Sequence, residues 1–359
     1  MGDPAPALRP VRDIANIGSR AGADGEAHQS STGKSMRRSR WTYYVPAAGL
    51  LIWVLATGTR AWGQTAPTTA GAAYPCYEAA NPDDIRLWPG RAPGAVGDEP
   101  CRDIPFVQVF RAGGVDPGPA LVLIPGGGYD HLSNEREQAT VAAYFAEHLK
   151  ITTFLLSYRL VQPDGTYRYP VPLWDGRRAV RLVRTLSARY GVDPNRIGVF
   201  GFSAGGHLAA LIAFRPKDDF GFTPGDVIDA ADDTVAVLGL GYPLVALDPA
   251  VVPPSGSVRH LLAGYHGAER AALEQQLSAQ TQIGPDAPAV FLFDGLDDQR
   301  VSSKNSLLLA QALRDAGVPN DIHLFDHGPH GVGLAMGVTG EEAWPRLFQD
   351  WLLQRGFLP

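Results

Sequence analysis

Between residues 104 and 359, short apolar runs alternate with stretches whose apolar positions recur every three or four residues. The runs FVQVF (106–110), ALVLI (120–124), TTFLLSY (152–158) and RIGVFGF (196–202) are rich in β-branched and aromatic residues and predict strands. VAVLGLGY (235–242), AVFLF (289–293) and DIHLF (321–325) predict three more. Helical spacing covers 135–149, 175–190, 208–213, 303–316 and 341–355; in the second of these, Val180, Leu182, Val183 and Leu186 gather on one side. Strands and helices in regular alternation predict an α/β fold, a mostly parallel central sheet with helices on both faces. Residues 244–288 stand outside the rhythm, with Pro253-Pro254 and one helix near 268–278. A small cap or substrate-facing loop is expected there, not a large separate cap domain. No linker or repeat interrupts 104–359, which reads as one catalytic domain.

The first 103 residues follow other rules. Residues 1–35 show no apolar periodicity and predict disorder, or an extension upstream of a true start at Met36. From there, Arg37, Arg38 and Arg40 precede an uncharged, mostly apolar core at 47–56, and Ala61 and Gly63 supply small residues before Gln64. That is the architecture of a secretory signal peptide over 36–63, its core too short for a comfortable membrane span. Residues 64–103 form a Pro/Gly-rich segment holding the chain's two cysteines, Cys76 and Cys101. In an oxidising compartment a pair without competitors predicts a disulfide. The expected location is periplasmic or extracellular, with no stable membrane association after cleavage. Net charge is −6, which argues against nucleic acid and anionic membranes as partners.

Chemistry concentrates at four strand ends. Gly201-Phe202-Ser203-Ala204-Gly205 lies between a strand and an apolar helix, as a nucleophile elbow requires. Its glycines permit the sharp turn that exposes Ser203 at a helix N-terminus. After another strand, Gly126, Gly127 and Gly128 can bring backbone N–H groups close to a substrate carbonyl; with the Ala204 N–H, one or two of them would form an oxyanion hole. A general base belongs after the last strand, where His327 and His330 are each followed by glycine. His330 lies further along the loop, with Gly331 and Gly333 giving the backbone freedom to reach the serine. His207, one turn past Ser203, is expected to pack or cap. The acid is open among Asp294, Asp297 and Asp298 in FLFDGLDDQRV, just past a buried strand. These aspartates with the two histidines match no standard zinc spacing, so no metal is expected.

PGGGYDHLSNERE, YPVPLWDGRRAVRLVR, GVDPNRIGVFGFSAGGHLAA and HLFDHGPHGVGLA together resemble the acetyl-xylan esterase and feruloyl esterase-like branch of the α/β-hydrolase superfamily. IRLWPGRAPGAVG (85–97) is similar to the opening of its domain, and the likeness runs over roughly 84–357. The resemblance implies an α/β-hydrolase fold and a secreted serine carboxylesterase that needs no cofactor. Its substrate would be a small-molecule or polysaccharide ester, acetyl groups on xylan-type carbohydrates foremost. Short-chain esterase, lipase and feruloyl esterase are the alternatives; an exported peptidase and an inactive sugar-binding hydrolase fold lie further off. The family pattern places the nucleophile at Ser203, the base at His330 and the acid at Asp298, three residues before Val301. Gly127, Gly128 and Ala204 would hold the oxyanion. Asp294 stands where many members have histidine, and Ser302 replaces a common proline.

Overall fold

The computed structural model describes residues 75–359 except Val115; the expected disordered segment 1–35 and signal peptide 36–63 lie outside the described residues. Eight strands form one sheet: β1 (Asp84–Arg86), β2 (Phe106–Phe110), β3 (Gly118–Ile124), β4 (Thr152–Ser157), β5 (Val192–Phe202), β6 (Val237–Gly241), β7 (Ala289–Gly295) and β8 (Asn320–Phe325). Their order is β1-β2-β4-β3-β5-β6-β7-β8. β2 runs antiparallel to both its neighbours, and every pairing from β4 to β8 is parallel.

Period-two alternation along the strands sorts side chains onto two faces. On one face, Leu121 and Leu123 of β3 and Phe291 and Phe293 of β7 pack under α1 (Ala139–Glu147) and α7 (Trp344–Gln354). Trp344 stacks on Phe293 with ring centroids 4.4 Å apart, and Phe145 meets Phe200 edge-on. On the other, Val122, Ile124, Val290 and Leu292 lie beneath α2 (Val171–Thr185), α3 (Ser203–Phe214) and α6 (Lys304–Asp315). Both faces are covered, which is why the central strands read as unbroken apolar runs.

Several boundaries differ from the sequence expectation. β1 is only three residues long, too short for a periodic signal, yet it extends the sheet through β2. The segment before residue 104 is therefore woven into the fold, and the Cys76–Cys101 disulfide closes it. α2 begins at Val171, because Pro172 sits in the first turn, where a missing N–H costs nothing. Residues 244–288 hold two helices, α4 (Gly256–Leu261) and α5 (Gly267–Gln276); the shorter is started by Ser255, whose Oγ accepts from the Val258 N–H.

α2 also holds a surprise in charge. Arg177, Arg178 and Arg181 are buried, although periodicity assigns such residues to solvent. Each meets carboxylates of the stretch 219–233: Arg177 pairs with Asp233, Arg178 with Asp226 and Asp229, and Arg181 with Asp219 and Asp233. Arg159 makes a bidentate pair with Asp175, its Nη2 2.6 Å from Oδ1.

Candidate active site

Four loops leave the carboxyl ends of β3, β5, β7 and β8 and converge, the position where open parallel sheets place ligands. Ser203 is the first residue of α3 and adopts φ 52°, a left-handed conformation costing on the order of 1–3 kcal/mol for a non-glycine residue. The strain is held by close packing. A Cβ on Gly205 would collide with the Ile124 and Pro125 carbonyls, and one on Gly126 would lie 2.9 Å from the Ser203 Cβ. Only glycines let the β3 and β5 loops meet at this distance.

The glycine loop after β3 turns its own carbonyls inward: Gly126 O accepts from the Ser133 N–H and Gly127 O from the His131 N–H. Gly127 and Gly128, at φ 115° and 68°, line the same cleft as Ser203 and His330. Ala204 is buried in the first turn of α3, where free N–H groups and the helix dipole favour negative charge.

The three aspartates have separate partners. Asp298 places Oδ2 2.6 Å from His330 Nδ1, while its Oδ1 accepts from the Arg300 and Val301 N–H groups at 2.7 and 3.0 Å. His330 Nε2 stands 2.8 Å from Ser203 Oγ. With the proton on Nδ1, His330 donates to Asp298 and accepts from the serine hydroxyl. Asp297, half out in solvent, accepts from the Gly328 N–H and from His327, so the second histidine is occupied elsewhere. The Gly328 N–H holds Asp297 below the usual carboxylate range, and Asp297 in turn lifts His327.

Asp294 is fully buried, accepts from the Ser306 hydroxyl through Oδ2 and leaves Oδ1 without a partner. Burial pushes its pKa up to about 7. Glu341 lies equally deep against Gly328, neither carboxyl oxygen hydrogen-bonded, and burial raises it to about 8, with Asp294 and Asp298 adding like charge.

Two positioning groups escaped the sequence reading. Buried Glu137 accepts from the Gly126 N–H at 2.9 Å and from Tyr242 Oη at 2.9 Å, and Tyr242 Oη accepts from the Gly333 N–H at 3.1 Å. One carboxylate thereby ties the glycine loop to the histidine loop, and the Tyr242 ring meets His330 edge-on at 4.9 Å. Glutamate in SNERE carries no sign of burial, so pattern alone could not find it. His207, expected to pack or cap, is buried: Nε2–H donates to the Leu277 carbonyl, and Nδ1 accepts from Tyr129 Oη, both at 2.7 Å. Burial lowers its pKa to about 4, so it stays neutral. Tyr129, at φ 71°, directly follows the glycines. Among the described residues, no group of three or more His, Cys, Asp or Glu is placed to hold a metal ion.

The family model BD-FAE matches residues 111–313, more than half of the chain. The chain belongs to the BD-FAE family. It is 29% identical over 240 residues to an acetylxylan esterase of Xylanibacter ruminicola, covering 66% of this chain and 45% of that protein. Over 221 residues it is 30% identical to endo-1,4-beta-xylanase B of Butyrivibrio fibrisolvens, covering 60% of this chain and 32% of the relative. The chain thus spans about half, or less, of the length of these curated relatives. The crystal structure of an acetyl ester-xyloside bifunctional hydrolase from Caldicellulosiruptor lactoaceticus superposes with TM-score 0.67 at 33% identity, over 77% of this BD-FAE chain and 97% of that one. The fold is the α/β-hydrolase fold, in the branch that the sequence motifs resemble.

Proposed function

We propose that this BD-FAE protein is a serine carboxylesterase that removes acyl groups, acetyl foremost, from xylan-type carbohydrates outside the cytosol. The observation that carries the reading is the unbroken hydrogen-bond chain from Asp298 through His330 to Ser203, inside a cleft that Gly127 and Gly128 also line. Ser203 Oγ attacks the ester carbonyl as His330 Nε2 takes its proton. Asp298 holds the imidazole with Nδ1–H toward itself and stabilises the imidazolium. The N–H groups of Gly127, Gly128 and Ala204 bear the charge that develops on the carbonyl oxygen, and the α3 dipole reinforces them. His330 then protonates the departing alcohol, leaving an acyl-Ser203. Water, deprotonated by the same histidine, attacks the acyl group and frees Ser203 with a carboxylic acid.

The carbohydrate substrate rests on the relatives' names together with the polar lining of the cleft, which includes Asp130, Asn134, His260 and Arg300. Secretion is supported by the signal-like segment 36–63 and by the Cys76–Cys101 disulfide, a bond kept in oxidising compartments. In a direct test, Ser203→Ala keeps a wild-type circular dichroism spectrum, loses fluorophosphonate labelling and drops ester turnover by ~10⁴-fold or more. Continued labelling of the variant would move the nucleophile elsewhere. Comparing acetate and ferulate release from defined oligosaccharides then separates the acetyl from the feruloyl reading.

A further inference from the structure

The cleft holding Ser203 and His330 measures about 500 Å³ and opens beside a second lobe of about 640 Å³ that the proposed chemistry does not use. Asp130 and His260 line both. His260 stands on the partition, its Nδ1 3.0 Å from the Gly128 carbonyl oxygen and 3.2 Å from Asp130 Oδ1. A ligand reacting at Ser203 can therefore continue past His260 without leaving the protein surface.

Three segments wall the outer lobe, and each is fixed in place. Residues 99–102 are anchored by the disulfide at Cys101 and by Asp103, whose Oδ1 accepts from Tyr167 Oη at 2.5 Å. The 160–163 segment is tied to the glycine loop by the Val161 N–H, donating to the Tyr129 carbonyl at 2.8 Å. The third wall, α4 and its end, is held by the Tyr169 N–H on the Leu261 carbonyl at 2.9 Å. A cavity built from such tethered loops is preorganised, so little ordering cost opposes a ligand entering it.

The lining is amphipathic in a particular way. Leu160 and Val161 present aliphatic surface, while Glu99, Gln162 and Arg259 bring an acceptor, a mixed amide and a guanidinium fork. Arg259 is exposed and pairs with no carboxylate among the described residues. Sugar rings match this lining, with C–H faces for the aliphatic wall and hydroxyl edges for donors and acceptors. A fatty acyl chain would instead desolvate the charged groups without replacing their hydrogen bonds.

We propose that the outer lobe is a saccharide subsite, binding sugar units of the alcohol that neighbour the esterified one; this rests on the carbohydrate-ester reading of the inner cleft. Binding energy from these remote units is then available to the reaction at Ser203.

The test measures kcat/KM on acetylated xylobiose and xylotetraose, with p-nitrophenyl acetate on the same preparation as reference, and inhibition by ester-free xylotetraose. The tetraose is expected to exceed the biose by about tenfold, a gain corresponding to ~1.4 kcal/mol. Ester-free xylotetraose should compete. In the doubly substituted Gln162→Ala/Arg259→Ala protein the length gain, measured against p-nitrophenyl acetate, should shrink to about twofold, the loss appearing in KM. Equal rates on biose and tetraose, or a gain that survives the double substitution, overturn the subsite. So does a preference that instead climbs with acyl length up to p-nitrophenyl octanoate, which would make the lobe an acyl pocket. A wild-type protein inert toward p-nitrophenyl acetate would overturn the esterase reading itself, a result distinct from hydrolysis without length dependence.

Discussion

Helix α2 and the carboxyl end of β7 with the turn after it both gather carboxylates, and they treat them in opposite ways. Around α2, Asp226, Asp229 and Asp233 each meet a buried arginine, and Arg178 holds Asp226 down at about 2. Around the carboxyl end of β7, the partners of the acids are an imidazole for Asp298, a hydroxyl for Asp294 and, for Glu341, no group at all. Without a cation nearby, burial dominates, and Asp294 and Glu341 rise to about 7 and 8. Acids paired with arginine hold segments together. Buried acids without a cation, Asp294 and Glu341, instead stay responsive to protons near neutral pH.

The sharpest break of this contrast lies inside the turn itself. Asp298→Asn should lower turnover by ~10³–10⁴-fold, since the amide favours the wrong tautomer of His330. Asp297→Asn, which unsettles only exposed His327 and the Gly328 N–H, should cost less than about tenfold. Steady-state kinetics on p-nitrophenyl acetate decide, and equal losses would remove Asp298 from its role. Next in size is Arg178→Ala. It strands buried Asp229 and should destabilise the protein by ~3–5 kcal/mol in urea denaturation, while turnover per folded molecule holds.

Tyr129→Phe is smaller. It leaves His207 Nδ1 without its donor and the strained residue after the glycines less constrained, for a cost of ~1–3 kcal/mol. A kcat loss in fully folded protein would show that the amides proposed to hold the oxyanion shifted.

The subtlest prediction concerns pH. Asp294 and Glu341 are raised above their ordinary values, so the folded state holds their protons more tightly than the unfolded chain does. Their contribution is complete below about pH 4 and declines as pH climbs through about 7 and 8. Asp226 is depressed to about 2, so its contribution is present above about pH 4 and is lost as pH falls toward 2. Glu341→Gln should therefore gain in Tm relative to wild type between pH 5 and 9. A constant Tm difference across that range would show that Glu341 does not titrate there.

Strand and helix alternation was legible because both sheet faces are covered and the apolar runs are long. The elbow at Ser203 was legible because its glycines are required by backbone contact, which leaves a fixed spacing in the chain. Order and loop length pointed to His330, whereas the acid could be picked from three aspartates only through resemblance. What pattern could not supply were buried polar groups. Periodicity scores arginine as solvent-facing, so the ion pairs of α2 were invisible, as were Glu137 and Tyr242, whose partners lie 105 residues apart in sequence. A three-residue strand such as β1 leaves no period to detect.

The serine and histidine lie 127 residues apart, and the histidine loop follows the last strand of the sheet. On the proposed mechanism a ribosome makes the nucleophile long before the base that activates it. β8, at the sheet's far edge, must dock before His330 can reach across. A nascent, truncated or half-folded chain thus carries an inert hydroxyl. On that mechanism catalysis becomes a readout of completed folding, and a chain that has not yet docked β8 is chemically silent.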